Sequence, residues 1–159
     1  MTQYRFLAVA IIERQPKLRK EVNTVMQRRF HHVGYVVSSI AEAAPQFQKS
    51  LGLDWDGEII HDPLQMVRVS FLPANIATQT TIELVEPAGP RSPVNKFLAA
   101  GGGLHHVCYE VSDLAAQIEE SKAAGDTLVR VPMQAKAFGG RKIAWFLTPA
   151  KLLIEFLEA

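Results

Sequence analysis

His31-His32-Val33-Gly34-Tyr35-Val36-Val37-Ser38-Ser39-Ile40 returns 74 positions later as His105-His106-Val107-Cys108-Tyr109-Glu110-Val111-Ser112-Asp113-Leu114. A second pair repeats at an offset of 72: Ile82-Glu83-Leu84-Val85-Glu86 and Ile154-Glu155-Phe156-Leu157-Glu158. Both pairs keep the same order and nearly the same spacing. Self-similarity at a fixed offset marks a duplicated structural unit. The repeat divides the chain into a first module (30–89), a linker (90–103) and a second module (104–159).

Each copy reads the same way. The doublet segment alternates and is rich in β-branched and aromatic residues, so it is a strand. A helix follows over 39–50 in the first copy and 113–124 in the second. Ser39 and Asp113 are N-caps, and Gly52 and Gly125 sit just past the helix ends, where a left-handed residue is favoured. Strands follow over 66–72 and 81–85, and over 143–147 and 152–157. The pattern is βαβββ twice, an α+β fold. In the linker, 92–100 reads as a helix and Gly101-Gly102-Gly103 as a flexible joint.

The whole chain has 159 residues, 48% hydrophobic and 21% charged, and a formal net charge of +1. That excludes a disordered chain and a nucleic-acid binder working by bulk charge. One cysteine excludes an intramolecular disulfide and a cysteine-cluster metal site. No apolar run is long enough to span a membrane. Residues 1–29 hold seven basic and two acidic groups, a net of +5, against −4 for the rest. This shift reads as a separate basic extension, with a short surface helix over 17–25; Met26 offers an alternative start. Phe6 to Ile12 is apolar, but Glu13-Arg14-Gln15-Pro16 follows without a small-residue cleavage pattern, so a cytoplasmic location is expected.

Four of the five histidines lie in the two doublets. Alternation sends the two members of each doublet to opposite faces, so one of each points into its module. Glu83 and Glu155 interrupt apolar strands, and a carboxylate there is costly unless it is paired or binds a metal. Two-fold repetition then predicts a site between the modules, built from one His and one Glu of each. Two imidazoles and two carboxylates suit one divalent ion: Zn, Co, Ni, Mn or Fe. Glu86 and Glu158 have the opposite parity and belong on the outer face. Cys108 occupies the position of Gly34 in the repeat and reads as small core packing.

The duplicated βαβββ unit, with HHVG and HHVC starts and IEL and IEF ends, resembles the vicinal oxygen chelate superfamily of glyoxalase I, extradiol dioxygenases and bleomycin-resistance proteins. Val85-Glu86-Pro87, Ser92 to Leu98 and Gly103 to Cys108 are similar to methylmalonyl-CoA epimerases. So is Gly139-Gly140-Arg141-Lys142-Ile143-Ala144 with Leu152-Leu153-Ile154-Glu155. The resemblance implies an open eight-stranded barrel-like cleft and a homodimer. It makes His32, Glu83, His106 and Glu155 the metal ligands. Two departures stand out. Arg68 lies close to the place of a carboxylate base in some epimerases, and an arginine cannot be a base. The turn Thr148-Pro149-Ala150-Lys151 is shorter than the epimerase turn and keeps only its Pro and one Lys.

The activity implied is epimerisation of a small acyl-CoA thioester, with a divalent ion stabilising an enolate. Glu155 or Glu83 would carry the proton. Gln65 would hold a substrate oxygen, and Arg68, Arg141 and Lys142 would bind a carboxylate or CoA phosphates. The competing readings are a lactoylglutathione lyase, shared through Phe-x-Gly-Arg-Lys-Ile-Ala, and a metal-free drug-binding resistance protein. Intact His32, Glu83, His106 and Glu155 speak against the latter. An extradiol dioxygenase ranks below both, because its two-His-one-carboxylate iron site sits in one half of a longer chain.

Overall fold

Ser39 is extended and its hydroxyl accepts the Glu42 amide at 3.3 Å, and Asp113 Oδ1 accepts the Ala116 amide at 2.9 Å. Each cap satisfies one of the free amides of a helix start, a contribution of about 1 kcal/mol. The two capped helices are the anchors of a computed structural model that describes residues 28–74 and 80–159. The apolar run at 6–12 and the helix expected over 17–25 lie outside the described residues.

The first unit is β1 (Arg28–Val36), α1 (Ile40–Leu51), β2 (Ile60–Asp62), β3 (Val67–Leu72) and β4 (Ile82–Pro87). After α2 (Asn95–Ala99), the second is β5 (Gly103–Val111), α3 (Leu114–Ala123), β6 (Thr127–Gln134), a 3₁₀ turn (Lys136–Phe138), β7 (Lys142–Leu147) and β8 (Leu153–Glu158). The expected βαβββ order is present twice. β2 and β6 had no counterpart in the strands read from sequence. β2 has three residues, and β6 contains Pro132 and has exposed positions along much of its length. α2 is also shorter than the 92–100 expected.

Among the described residues eight strands form one sheet in the order β2-β3-β4-β1-β5-β8-β7-β6. It is a curled, open half-barrel. β1 and β5 run antiparallel at its centre, and each has a parallel partner outside it, β4 and β8. One face is apolar and covered by the helices. Ile40 and Ala44 of α1 pack on Leu72 and Leu84, and Leu114 of α3 packs on Ala144, Phe146 and Phe156. Burying each of the leucine, isoleucine and phenylalanine side chains stabilises by about 1.5–3 kcal/mol. The other face carries Val67, Val69, Val85, Ile143 and the chemistry-bearing residues.

The two ends of the sheet are latched. Asp62, at the end of β2, is buried. Its Oδ1 accepts the amides of Leu64 and Gln65 at 3.0 Å each, and its Oδ2 accepts the Lys136 amide of the 3₁₀ turn at 2.7 Å. A buried carboxylate is tolerated here because three amides replace its water.

Candidate metal centre and cavity

Strand register assembles the site. Gly34 of β1 is paired with Glu83 of β4 on one side and His106 of β5 on the other. Cys108 of β5 is paired with His32 of β1 and Glu155 of β8. Gly34 and Cys108 therefore lie at the centre of two adjacent rungs, and each rung brings one imidazole and one carboxylate together over a small residue. His32, Glu83, His106 and Glu155 are all buried.

Their ligating atoms converge. His32 Nε2 lies 3.2 Å from His106 Nε2, 3.4 Å from Glu83 Oε2 and 3.5 Å from Glu155 Oε2. His106 Nε2 lies 3.3 Å from Glu83 Oε2 and 3.8 Å from Glu155 Oε2. Four atoms at the usual ~2.1 Å from a tetrahedral ion would be about 3.4 Å apart, close to these five separations, and His32, Glu83 and His106 form a group that could hold a metal ion. Glu155 Oε2 is buried and has no hydrogen-bond partner. An orphan acceptor of this kind costs about 1–3 kcal/mol, which a cation would relieve. Aromatic rings wall the imidazoles: Phe71 and Phe138 meet His32, and Trp145 meets His106 edge-on at 4.7 Å.

The two carboxylates differ. Burial pushes both up, but His32 and His106 hold Glu83 well below the usual carboxylate range. Glu155 stays raised by its burial and by Glu83, despite His106, His32 and a hydrogen bond with Cys108. Burial works against a charged His32, yet Glu83 and then Glu155 raise it.

The doublets depart from simple alternation. The β1–β5 register slips between Phe30 and His32 and again opposite His105, so His31 and His105 each sit at a β-bulge. Neither simply faces away from its neighbour. His31 Nδ1 is 2.8 Å from His32 Nδ1, and His105 Nδ1 is 3.0 Å from His106 Nδ1. His105 also lines the cavity beside Phe97, 4.8 Å between ring centroids.

Glu83, His106 and Glu155 line an open cavity of about 240 Å³, otherwise walled by side chains such as Val67, Val69, Val85, Phe138 and Trp145. Gln65 lines it too. Arg68, Arg141 and Lys142 are not among its lining residues. Arg68 pairs with Glu86, whose other oxygen accepts the Ile40 amide at 2.8 Å. Arg141 is held by Glu110 at 2.9 Å and the Glu158 carbonyl at 3.2 Å, and Lys142 is exposed. The cation that does line the cavity is Arg130 of β6. A single Arg in an edge strand carries no local sequence signal, and it was not among the expected residues.

Residues 31–145 match the model of the glyoxalase/bleomycin resistance protein/dioxygenase superfamily. The chain is 37% identical over 99 residues to the ethylmalonyl-CoA/methylmalonyl-CoA epimerase of Cereibacter sphaeroides, covering 61% of this chain and 71% of that one. It is 32% identical over 130 residues to the mitochondrial methylmalonyl-CoA epimerase of Dictyostelium discoideum, covering 77% of each. The crystal structure of methylmalonyl-CoA epimerase from Mycobacterium tuberculosis superimposes with a TM-score of 0.70 at 25% identity, over 82% of this chain and 87% of that one. With its duplicated βαβββ sheet and this match, the chain belongs to the glyoxalase/bleomycin resistance protein/dioxygenase superfamily.

Proposed function

We propose that this chain is a divalent-metal-dependent epimerase of a small acyl-CoA thioester such as methylmalonyl-CoA. The observation that carries the reading is the convergence of His32, Glu83, His106 and Glu155, with an orphan oxygen on Glu155, beside a largely apolar cavity that the last three line. The similarity to epimerases supports the thioester. His32, Glu83, His106 and Glu155 would hold the ion: Zn, Co, Ni, Mn or Fe by donor type. When bound, the ion supplies Lewis acidity, lowering the cost of negative charge on a substrate carbonyl oxygen.

The remaining work falls to the chain. Exchange of a proton next to a thioester carbonyl requires a base that can also return it. Glu155 could supply this base on loosening from the ion, since without the ion its burial and the neighbouring Glu83 raise its affinity for a proton. It is the carrier on one face, with Glu83 the second carboxylate. Phe138, Trp145 and the valines exclude water, which strengthens every charge interaction inside. Among the described residues no helix is long and apolar enough to cross a membrane. We infer a homodimer acting in the cytoplasm.

Elemental analysis of the purified protein beside His106→Ala tests the centre. About one transition-metal ion per chain in the wild type, and much less in the variant, is expected. Proton–deuterium exchange into methylmalonyl-CoA in heavy water then tests the chemistry. A protein that takes up none of the five ions on titration would sink the reading.

A further inference from the structure

At the rim of the cavity one side chain crosses from the second unit to the first. Arg130 of β6 donates from Nη1 to Gln65 Oε1 at 3.2 Å and from Nη2 to the Leu64 carbonyl at 3.3 Å. Both Arg130 and Gln65 line the cavity. Their neighbours Val129 and Leu64 are exposed, which sets the pair at the solvent edge. Because the Gln65 carbonyl is turned to Arg130, its amide nitrogen is left over. Gln65 Nε2 is buried and has no hydrogen-bond partner. A stranded donor beside a guanidinium, in a lining that is otherwise mostly apolar, is a place for an acceptor carrying negative charge.

The turn is also held still. Asp62 accepts the Leu64 and Gln65 amides, and Met66 leaves the turn at φ 57°, a conformation side chains rarely adopt. Strain of this kind persists only where the surroundings hold it, and it often marks a ligand site.

We propose that Arg130 and Gln65 form an oxyanion subsite, taking a carboxylate or phosphate oxygen of the substrate on the guanidinium and the Gln65 Nε2 donor. The proposal rests on the acyl-CoA reading above. Two parts of such a thioester offer this chemistry: an acyl carboxylate, and the phosphates of the CoA carrier.

Equilibrium binding to the metal-loaded protein separates them. Racemic methylmalonyl-CoA and propionyl-CoA, which lacks the carboxylate, are titrated by calorimetry into the wild type, Arg130→Met and Gln65→Leu. Arg130→Met is expected to weaken methylmalonyl-CoA binding about tenfold or more, the size of a lost charge-assisted hydrogen bond. If the acyl carboxylate is the ligand, propionyl-CoA binding is unchanged. If the phosphates are, both thioesters weaken together. Arg130→Lys, which keeps the charge without the planar fork, recovers part of the loss, and it replaces Arg130→Met should that variant not fold. Variants that bind both thioesters as tightly as the wild type overturn the subsite. A wild type that binds neither thioester overturns the acyl-CoA reading instead. Methylmalonate and inorganic phosphate, titrated into the wild type and Arg130→Met, then test the subsite alone: weaker binding to the variant supports it, and equal or no binding overturns it.

Discussion

A Cβ on Gly34 would stand 1.9 Å from Cε1 of His106 and 2.4 Å from its Nε2, within the space of the imidazole itself. The ring occupies the space a Gly34 side chain would need, and only glycine leaves room for it. Gly34→Ala must therefore displace His106 or separate β1 from β5. We expect a loss of about 1–3 kcal/mol in stability, and a fall in metal affinity of about 10–100-fold, as when the support of a ligand is removed. Competition titration with a chromogenic chelator and denaturant unfolding measure the two. Undiminished metal binding by a folded Gly34→Ala protein would contradict the geometry.

The bulged histidines set a second expectation. An imidazole that offers Nε2 to a cation as a neutral ring carries its proton on Nδ1. His32 and His106 would then donate to the Nδ1 of His31 and His105, which face them at 2.8 and 3.0 Å. His31→Phe keeps a ring against Phe138 but removes the acceptor. Its metal affinity should fall about tenfold. Long-range nitrogen–proton NMR spectra of the loaded wild type should show His32 and His106 protonated at Nδ1. Protonation at Nε2 in both would refute the assignment.

Cys108 is buried. Burial, reinforced by the nearby Glu155 and Glu83 charges, pushes its thiol far up. The thiolate is the reactive form, so the folded protein should be inert to an aromatic disulfide reagent at pH 8 and should react fully once unfolded. Fast labelling of the native protein would be the opposite result.

Burial, and then His106, holds His105 at about 4, against an ordinary 6.5. Between those values the unfolded chain binds a proton that the folded chain refuses. Stability of the metal-free protein therefore falls as pH drops through this window, and His105 adds no slope above it. His31 is lowered too and acts in the same direction. His32 is raised, and its contribution is lost as pH rises. Comparison with His105→Phe isolates the first effect: the variant should lose less melting temperature than the wild type between pH 6.5 and 4. Parallel curves would speak against it.

Much of this architecture could be read from the chain. Two motifs repeating at offsets of 74 and 72 give the duplicated unit and, through strand parity, direct the two glutamates to the inner face. Ser39 and Asp113 mark the helix starts by simple capping chemistry. Other features had no local signal. The bulges at His31 and His105 arise from the pairing of β1 with β5, whose doublets lie 74 positions apart, and period-two alternation does not anticipate them. β6 is an edge strand with a proline, so its pattern is weak. Charge alone points Arg68 and Arg141 to the substrate, but Arg68 pairs with Glu86 and Arg141 with Glu110, and neither lines the cavity. Arg130 reaches the cavity only because the sheet curls far enough for its two ends to meet at Asp62 and Gln65.

The two rungs also make the halves unequal. Glycine occupies the centre of one and cysteine the centre of the other, and His106 depends on that glycine. A cysteine at Gly34, matching the other rung, would put a side chain where the His106 imidazole now lies. A glycine at Cys108 would lose the thiol that meets Glu155. The two rungs carry the same pair of ligand types, but at Gly34 and Cys108 they are no longer interchangeable residue for residue.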